Sequence, residues 1–381
     1  MGKDASLTNA PGTVRGTFLA SMLRVQGLEM ITRIRAAILN TLGSPLRVDN
    51  FLEVPEVTEG KVLVALAFSG LCHSQLSEAR GDRGIDRYLP HLLGHEGSGV
   101  VKATGPGVTK VRTGDRVILT WIKGSGVDAG GTIYPSPSGP INAGPITTFN
   151  DFALISENRL VLLPPGIPMD VAVLFGCALP TGGGIILNEL NAQDGSTLVV
   201  FGLGGVGLCA LMVAVASGSF SKIIAVDVSD QKLRFSEELG ATMSINAQGD
   251  VVQMVRDATG GAGTDFAIDA SGKAEVIEMA FDSVRRNGGL CIFASHPPAG
   301  SRINIDPFEL INGKHIRGSW GGACQPDRDI PRFAEMYLSG RLPLEKLLTR
   351  RYQLEEINEA VADLEAGVAL RPLIELDSSI T

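Results

Sequence analysis

Three short stretches of this chain concentrate side chains that bind metals or move protons. They are Gly70-Leu-Cys72-His73-Ser74-Gln75, Gly94-His95-Glu96-Gly-Ser-Gly99 and Phe175-Gly-Cys177-Ala-Leu-Pro180. Two thiolates and one imidazole form a donor set that zinc accepts, and three protein ligands leave a fourth position open, as a catalytic site requires. An ion in such a site acts as a Lewis acid toward a substrate oxygen. Taken singly, Cys72 and Cys177 equally suit small buried apolar positions, and His95 suits a hydrogen-bonded turn. Spacing alone does not join three segments so far apart.

A second chemical signature is Thr197-Leu-Val-Val-Phe-Gly202-Leu-Gly204-Gly205-Val206-Gly207, followed by Lys222-Ile-Ile-Ala-Val-Asp227. The β-branched apolar run is short enough for a buried parallel strand, and the apolar segment 208–216 is long enough for a helix. Gly202 permits the tight turn, Gly204 lets backbone approach a pyrophosphate, and Gly207 lets helix pack on strand. Free N–H groups at Gly205 and Val206, at the positive helix end, suit the pyrophosphate. Asp227 can accept hydrogen bonds from both ribose hydroxyls of NAD, and its charge repels a 2′-phosphate. Lys222 and Lys232 flank that strand and reach toward the adenosine end.

Composition bounds the rest. The chain has 381 residues, enough for two domains with their own cores. At 44% hydrophobic and 19% charged it is an ordinary globular protein, and its 47 glycines suit many tight turns and a nucleotide site. A net charge of −8 with no Lys/Arg-rich block argues against nucleic acid as a partner. No uninterrupted apolar stretch reads as a membrane span. Five scattered cysteines do not form a disulfide framework, so a reducing cytoplasm is the default compartment.

The elements needed to carry these residues fall into two patterns. From Met30 to about Leu163 short β-like runs alternate with Gly, Pro and Asp turns, including Lys61-Val-Leu-Val-Ala-Leu-Ala and Asp115-Arg-Val-Ile-Leu-Thr-Trp. From about Ala178 to Gly318 strands alternate with helical stretches at 231–239 and 274–286, the signature of a parallel α/β sheet. Residues 330–339 and 354–366 read as amphipathic helices, and Arg371-Pro-Leu-Ile-Glu-Leu reads as a last strand. The tail therefore returns to the first domain. The expected division is a 1–29 extension, a first domain of 30–178 with 319–381, and a dinucleotide-binding domain of 179–318. The polar 1–29 segment lacks the apolar core of a secretory signal and is treated as an appendage.

These motifs together resemble the zinc-dependent, alcohol-dehydrogenase type of the medium-chain dehydrogenase/reductase superfamily, from about Met30 to the end. Gly94-His95-Glu96-x-x-Gly99, with Gly105 and Val108 following, is the most specific match. The resemblance implies a GroES-like, mostly β catalytic domain beside a doubly wound parallel-sheet (Rossmann) cofactor domain. It implies one catalytic zinc held by Cys72, His95 and Cys177, with Glu96 behind them and able to visit the metal during ligand exchange. It further implies that an alcohol bound at zinc gives its proton to Ser74 and its hydride to the nicotinamide of NAD. His73 and Arg371 would lie near the cofactor phosphates.

The departures from the family matter as much. Gln75 stands where the family usually has an acid beside the zinc-ligand imidazole, and Ser77 stands where well-known members carry a relay histidine. Many relatives bind a second zinc with four close cysteines, whereas the corresponding region, about Trp121 to Thr148, contains none. The expectation is one zinc per subunit and a homo-oligomer, dimer or tetramer, acting on a small alcohol or carbonyl compound. Two other readings stay open: a reductase of a conjugated alkene or iminium using NADPH, and a nucleotide-binding protein without turnover. Cys209 and Cys291 are expected in the core, His296 in a loop near the nicotinamide, and Cys324, His91 and His315 receive no role.

Overall fold

The computed structural model describes residues 33–380 and the backbone of two short antiparallel strands, Met22–Val25 and Leu28–Ile31. The rest of the expected N-terminal extension lies outside the described residues. The run beginning at Met30 divides, with the first long strand at Arg33–Leu39.

The cofactor domain is a six-stranded, all-parallel sheet. Its order is Met243–Asn246, Phe220–Asp227, Ser196–Phe201, Phe266–Asp269, Leu290–Phe293 and His315–Gly318. Helices Gly205–Ser217, Asp230–Glu238, Val251–Ala258 and Ala274–Ser283 make the crossovers. The strand order reverses on either side of Ser196–Phe201, so a crevice opens beyond the carboxyl ends of that strand and Phe266–Asp269. Helix Gly205–Ser217 is buried almost all round, which explains its uniformly apolar composition.

The other domain is built on a sheet ordered Leu160–Leu162, Arg116–Thr120, Glu96–Thr104, Lys61–Gly70, Pro372–Glu375 and Arg350–Gln353, with Phe152–Ser156 also on Lys61–Gly70. Lys61–Gly70 is buried along its whole length, as expected for a strand covered on both faces. The tail strand Pro372–Glu375 pairs antiparallel with Phe68–Gly70, which carries Arg371 back beside the Cys72 segment. Among the described residues no single helix is long and apolar enough to cross a membrane.

One hydrophobic core runs through both domains. It joins Ile118, Leu174, Phe175 and Phe333 of the catalytic domain to Leu198 and Leu208 of the cofactor domain. The segment carrying Cys177 is embedded in it. After Cys177, helix Ala178–Gly184 lies against Gly205–Ser217, close enough that a Cβ at Gly182 would sit 2.8 Å from the Ala210 nitrogen. A Gly-Gly-Gly run is poor helix-forming sequence, so tertiary packing imposes this helix.

Candidate functional site

Each ligand segment is placed by a different local device. Cys72 is the N-cap of helix His73–Arg80, in extended conformation, and its N–H donates to Gln75 Oε1 at 3.0 Å. His95 enters from a turn in which Gly94 has φ +93°, and strand Glu96–Thr104 follows. Cys177 occupies the kink between a 3₁₀ turn, Val173–Gly176, and helix Ala178–Gly184. The three donor atoms lie within 4.8 Å of one another, and His95 Nε2 is 3.2 Å from Cys177 Sγ.

The chemistry of this donor set fits zinc. Two sulfurs and one imidazole nitrogen converge at tetrahedral-site spacing. Cys72 is driven well toward thiolate, first by a hydrogen bond from Cys177 and then by the Arg371 charge against the cost of burial. Cys177 is pushed up by donating that bond and by burial. A metal ion here would take both sulfurs as thiolates and release the remaining proton.

Behind the donors lies an ion pair. Glu96 is fully buried and Arg371 almost so, with Arg371 Nη2 2.5 Å from Glu96 Oε1. Gly70 and Gly176 leave room for the carboxylate, since a Cβ at either would lie 2.8 Å from Glu96 carbon atoms. Arg371 also reaches the cofactor domain, where a Cβ on Gly205 would meet its Nη1 at 3.0 Å. One guanidinium therefore touches both the carboxylate behind the donor set and the first residue of the glycine-turn helix. Such a buried charge needs its partner, because an isolated one costs several kcal/mol.

Around His95 Nδ1 two side chains gather. Ser74 Oγ is 3.5 Å away, and Gln75 Nε2 contacts it directly. Gln75 is buried, and its amide spends its oxygen on Cys72 N–H and turns its nitrogen to the imidazole. His73, next to Cys72, is exposed.

In the cofactor domain Gly202 has φ +84°, and a Cβ there would lie 2.9 Å from Ser271 N, so only glycine suits this turn. Gly204 is the N-cap of the helix that includes Gly205, Val206 and Gly207, and nothing lies within 4 Å of where its Cβ would be. Asp227 ends its strand and takes Leu203 N–H at 2.7 Å on one oxygen and Ser229 N–H at 3.0 Å on the other. These bonds lock the carboxylate beside the glycine turn and leave lone pairs for further donors. Lys232, in the first turn of the next helix, lines a cleft of about 370 Å³ with Arg350 and Leu370.

Sequence reasoning overlooked Trp121 and Trp320, which meet edge to face with ring centroids 5.0 Å apart. It also overlooked two buried charges that hold loop 124–132. Lys61 Nζ donates to the carbonyls of Gly130 and Gly131 at 2.7 and 3.0 Å. Glu157 accepts N–H groups of Thr109, Lys110 and Val127 at 2.6, 2.5 and 2.8 Å. Elsewhere Cys209 and Cys291 are core residues, Cys324 is buried near Asp329, and His91 pairs with Asp86 at 2.7 Å.

Comparison with known proteins agrees with this architecture. Residues 58–165 match the alcohol dehydrogenase GroES-like domain, and residues 205–339 match the zinc-binding dehydrogenase domain. Over 369 residues the chain is 32% identical to an NDMA-dependent alcohol dehydrogenase of Amycolatopsis methanolica, covering 90% of this chain and 98% of the relative. The chain belongs to the zinc-dependent alcohol dehydrogenase family of medium-chain dehydrogenases. It is also 30% identical to an alcohol dehydrogenase class-3 of Cereibacter sphaeroides, over 90% of this chain and 99% of that one. A crystal structure of an alcohol dehydrogenase zinc-binding domain protein from Burkholderia ambifaria superposes with a TM-score of 0.83 at 32% identity, covering 90% and 99% of the two chains.

Proposed function

We propose that this member is an NAD-dependent, zinc-dependent alcohol dehydrogenase, interconverting a primary or secondary alcohol and its carbonyl compound. The observation that carries the reading is the convergence of Cys72, His95 and Cys177, joined through Glu96 and Arg371 to the glycine turn. Zinc held there supplies Lewis acidity at the substrate oxygen, and NAD supplies the hydride acceptor. The protein's own part is orientation and proton transfer. Ser74, on the first turn after Cys72, takes the alcohol proton while handing its hydroxyl proton to water, since Ser77 offers no imidazole for a relay. Arg371 places positive charge toward the pyrophosphate, with His73 beside it as a hydrogen-bond donor and Lys232 at the adenosine end, and the amides of Gly204, Gly205 and Val206 receive it. Asp227 favours NAD over NADP by accepting the ribose hydroxyls.

Further features support the physiological setting. Strand His315–Gly318 has a ladder partner on one side only among the described residues, which suits pairing of a second subunit along that edge. All five cysteines are free and buried, as suits a reducing cytoplasm. The test is an alcohol panel with NAD and with NADP, before and after chelation. Chelator-sensitive, NAD-preferring oxidation is expected. Turnover that ignores added NAD and proceeds only with NDMA as acceptor, or turnover indifferent to chelation, would contradict the proposal.

A further inference from the structure

Among the described residues, a second group of metal-capable side chains converges away from the site described above. Glu78, Asp86 and His91 each bring one donor atom to within 4.8 Å of the others. Glu78 lies near the end of helix His73–Arg80, Asp86 on the loop that follows, and His91 on the short strand His91–Leu92. The His91 side chain is only 7% exposed and that of Asp86 13%, so two of the three are largely shielded from water. One guanidinium, Arg83, faces the two carboxylates, which leaves negative charge uncompensated around the ring.

The hydrogen bonds fix which atoms point inward. His91 Nδ1 is 2.9 Å from the Leu92 carbonyl, which only accepts, so Nδ1 carries a proton and Nε2 is turned to the carboxylates. Nε2 lies 2.7 Å from Asp86 Oδ2 and 3.9 Å from Glu78 Oε1. The other oxygen of each carboxylate is already engaged. Asp86 Oδ1 accepts the Tyr88 N–H at 2.8 Å, and Glu78 Oε2 accepts from Arg83 Nη1 at 3.2 Å. A proton on Nε2 would satisfy Asp86 alone, because 3.9 Å is too long for a hydrogen bond to Glu78. A cation set between the three inward atoms would engage all of them. Each ligand then has an outer partner that orients it, as metal-binding imidazoles and carboxylates do.

We propose that Glu78, Asp86 and His91 form a second metal site, which takes an exchangeable divalent cation of the manganese type. Two carboxylate oxygens and one imidazole nitrogen are a harder donor set than Cys72, His95 and Cys177, and oxygen-rich sets suit Mn²⁺ where thiolates hold zinc. With three protein ligands and Glu78 the least buried of them, water completes the shell and the ion exchanges with the medium. It is therefore distinct from the zinc that stays with the chain through purification. The position of the site gives it a task. Helix His73–Arg80 begins at Cys72, and His91–Leu92 runs on to His95, so the ion ties together two of the segments that supply those donors. The intervening loop also meets the cofactor domain, where Ala299 N–H donates to the Asp82 carbonyl at 2.7 Å. Filling the site braces loop 81–90 at that contact, whatever alcohol the enzyme oxidises.

The test uses the full chain loaded with one zinc, passed into metal-free buffer and titrated with Mn²⁺. Electron paramagnetic resonance should show one Mn²⁺ bound per chain, with coupling to an imidazole nitrogen. Glu78→Gln and Asp86→Asn should each weaken that binding about tenfold. Glu78→Gln, at the least buried ligand, tests the site without endangering the fold. Amide exchange in loop 81–90 should slow when Mn²⁺ is added to wild type, and should not respond in Glu78→Gln at the same concentration. No uptake by wild type, the result expected if Nε2 carries a second proton and pairs with Asp86, would overturn the proposal. So would uptake undiminished in both variants, or bound Mn²⁺ without nitrogen coupling, since the ion would then sit elsewhere.

Discussion

The residue scale turns on the count of donors and acceptors around His95. For Nε2 to face a metal ion, Nδ1 must carry the ring proton and needs an acceptor. Gln75 has one carbonyl oxygen, already taken by Cys72 N–H at 3.0 Å. Turning the amide would satisfy the imidazole and set NH₂ against Cys72 N–H, whereas in the present orientation Nδ1–H has only Ser74 Oγ, at 3.5 Å, to accept it. Gln75→Glu supplies two acceptor oxygens and is expected to tighten zinc binding about tenfold in competition with a chelator; equal or weaker retention would show that the amide does not limit the site. Asp227→Ala should erase the preference for NAD, seen as a fall in the NAD/NADP ratio of kcat/KM, and an unchanged ratio would exclude that carboxylate from reading the ribose. The types of Cys72, His95 and Cys177 were legible in the sequence, and resemblance linked them. Their approach to within 4.8 Å was not, because it depends on a shared core rather than on spacing. The tryptophan contact was illegible for the same reason: its partners are about half the chain apart.

At the scale of elements, period and punctuation served well where strands and helices were apolar. The runs at Lys61, Phe266 and Leu290 became Lys61–Gly70, Phe266–Asp269 and Leu290–Phe293, and 274–286 became Ala274–Ser283. Helix His73–Arg80 escaped notice because His-Ser-Gln-Leu-Ser-Glu-Ala-Arg has almost no apolar stripe. Helix Ala178–Gly184 escaped because its glycines suit close packing against Gly205–Ser217 and not intrinsic helicity. In loop 124–132, ordering comes from Lys61 and Glu157. Burial alone would raise the Glu157 carboxyl, but three backbone N–H bonds outweigh it and hold the pKa below its ordinary 4.5. A depressed folded-state pKa gives stability that is present above the unfolded value and lost as pH falls through the folded one. Glu157→Gln should therefore cost about 2 kcal/mol at neutral pH. In urea titrations its gap from wild type should narrow below pH 4.5; a gap constant with pH would mean that the carboxylate charge is irrelevant.

For the whole molecule the decisive feature is that neither domain completes the site alone. The β-rich domain brings the three converging donor side chains, which could hold a metal ion, the parallel sheet brings the glycine turn, and Arg371 lies between them just before a strand that returns late in the chain. Removing the guanidinium would strand Glu96 in the core, so Arg371→Met should destabilise the fold by about 3 to 5 kcal/mol and lower the melting temperature. A melting temperature within a degree of wild type would show that the pair is dispensable. The division into a β-rich and a parallel α/β half could be read in advance, because it follows from local periodicity. The coupling between the halves could not, because it depends on one buried ion pair. The central claim is that two sulfurs and an imidazole from three distant segments hold a zinc ion, and metal content measured on purified wild type and Cys177→Ala tests it most directly. The expected result is one zinc per wild-type chain and little or none in the variant, with alcohol oxidation lost alongside. Undiminished zinc in Cys177→Ala, or full turnover by zinc-free wild type, would contradict it.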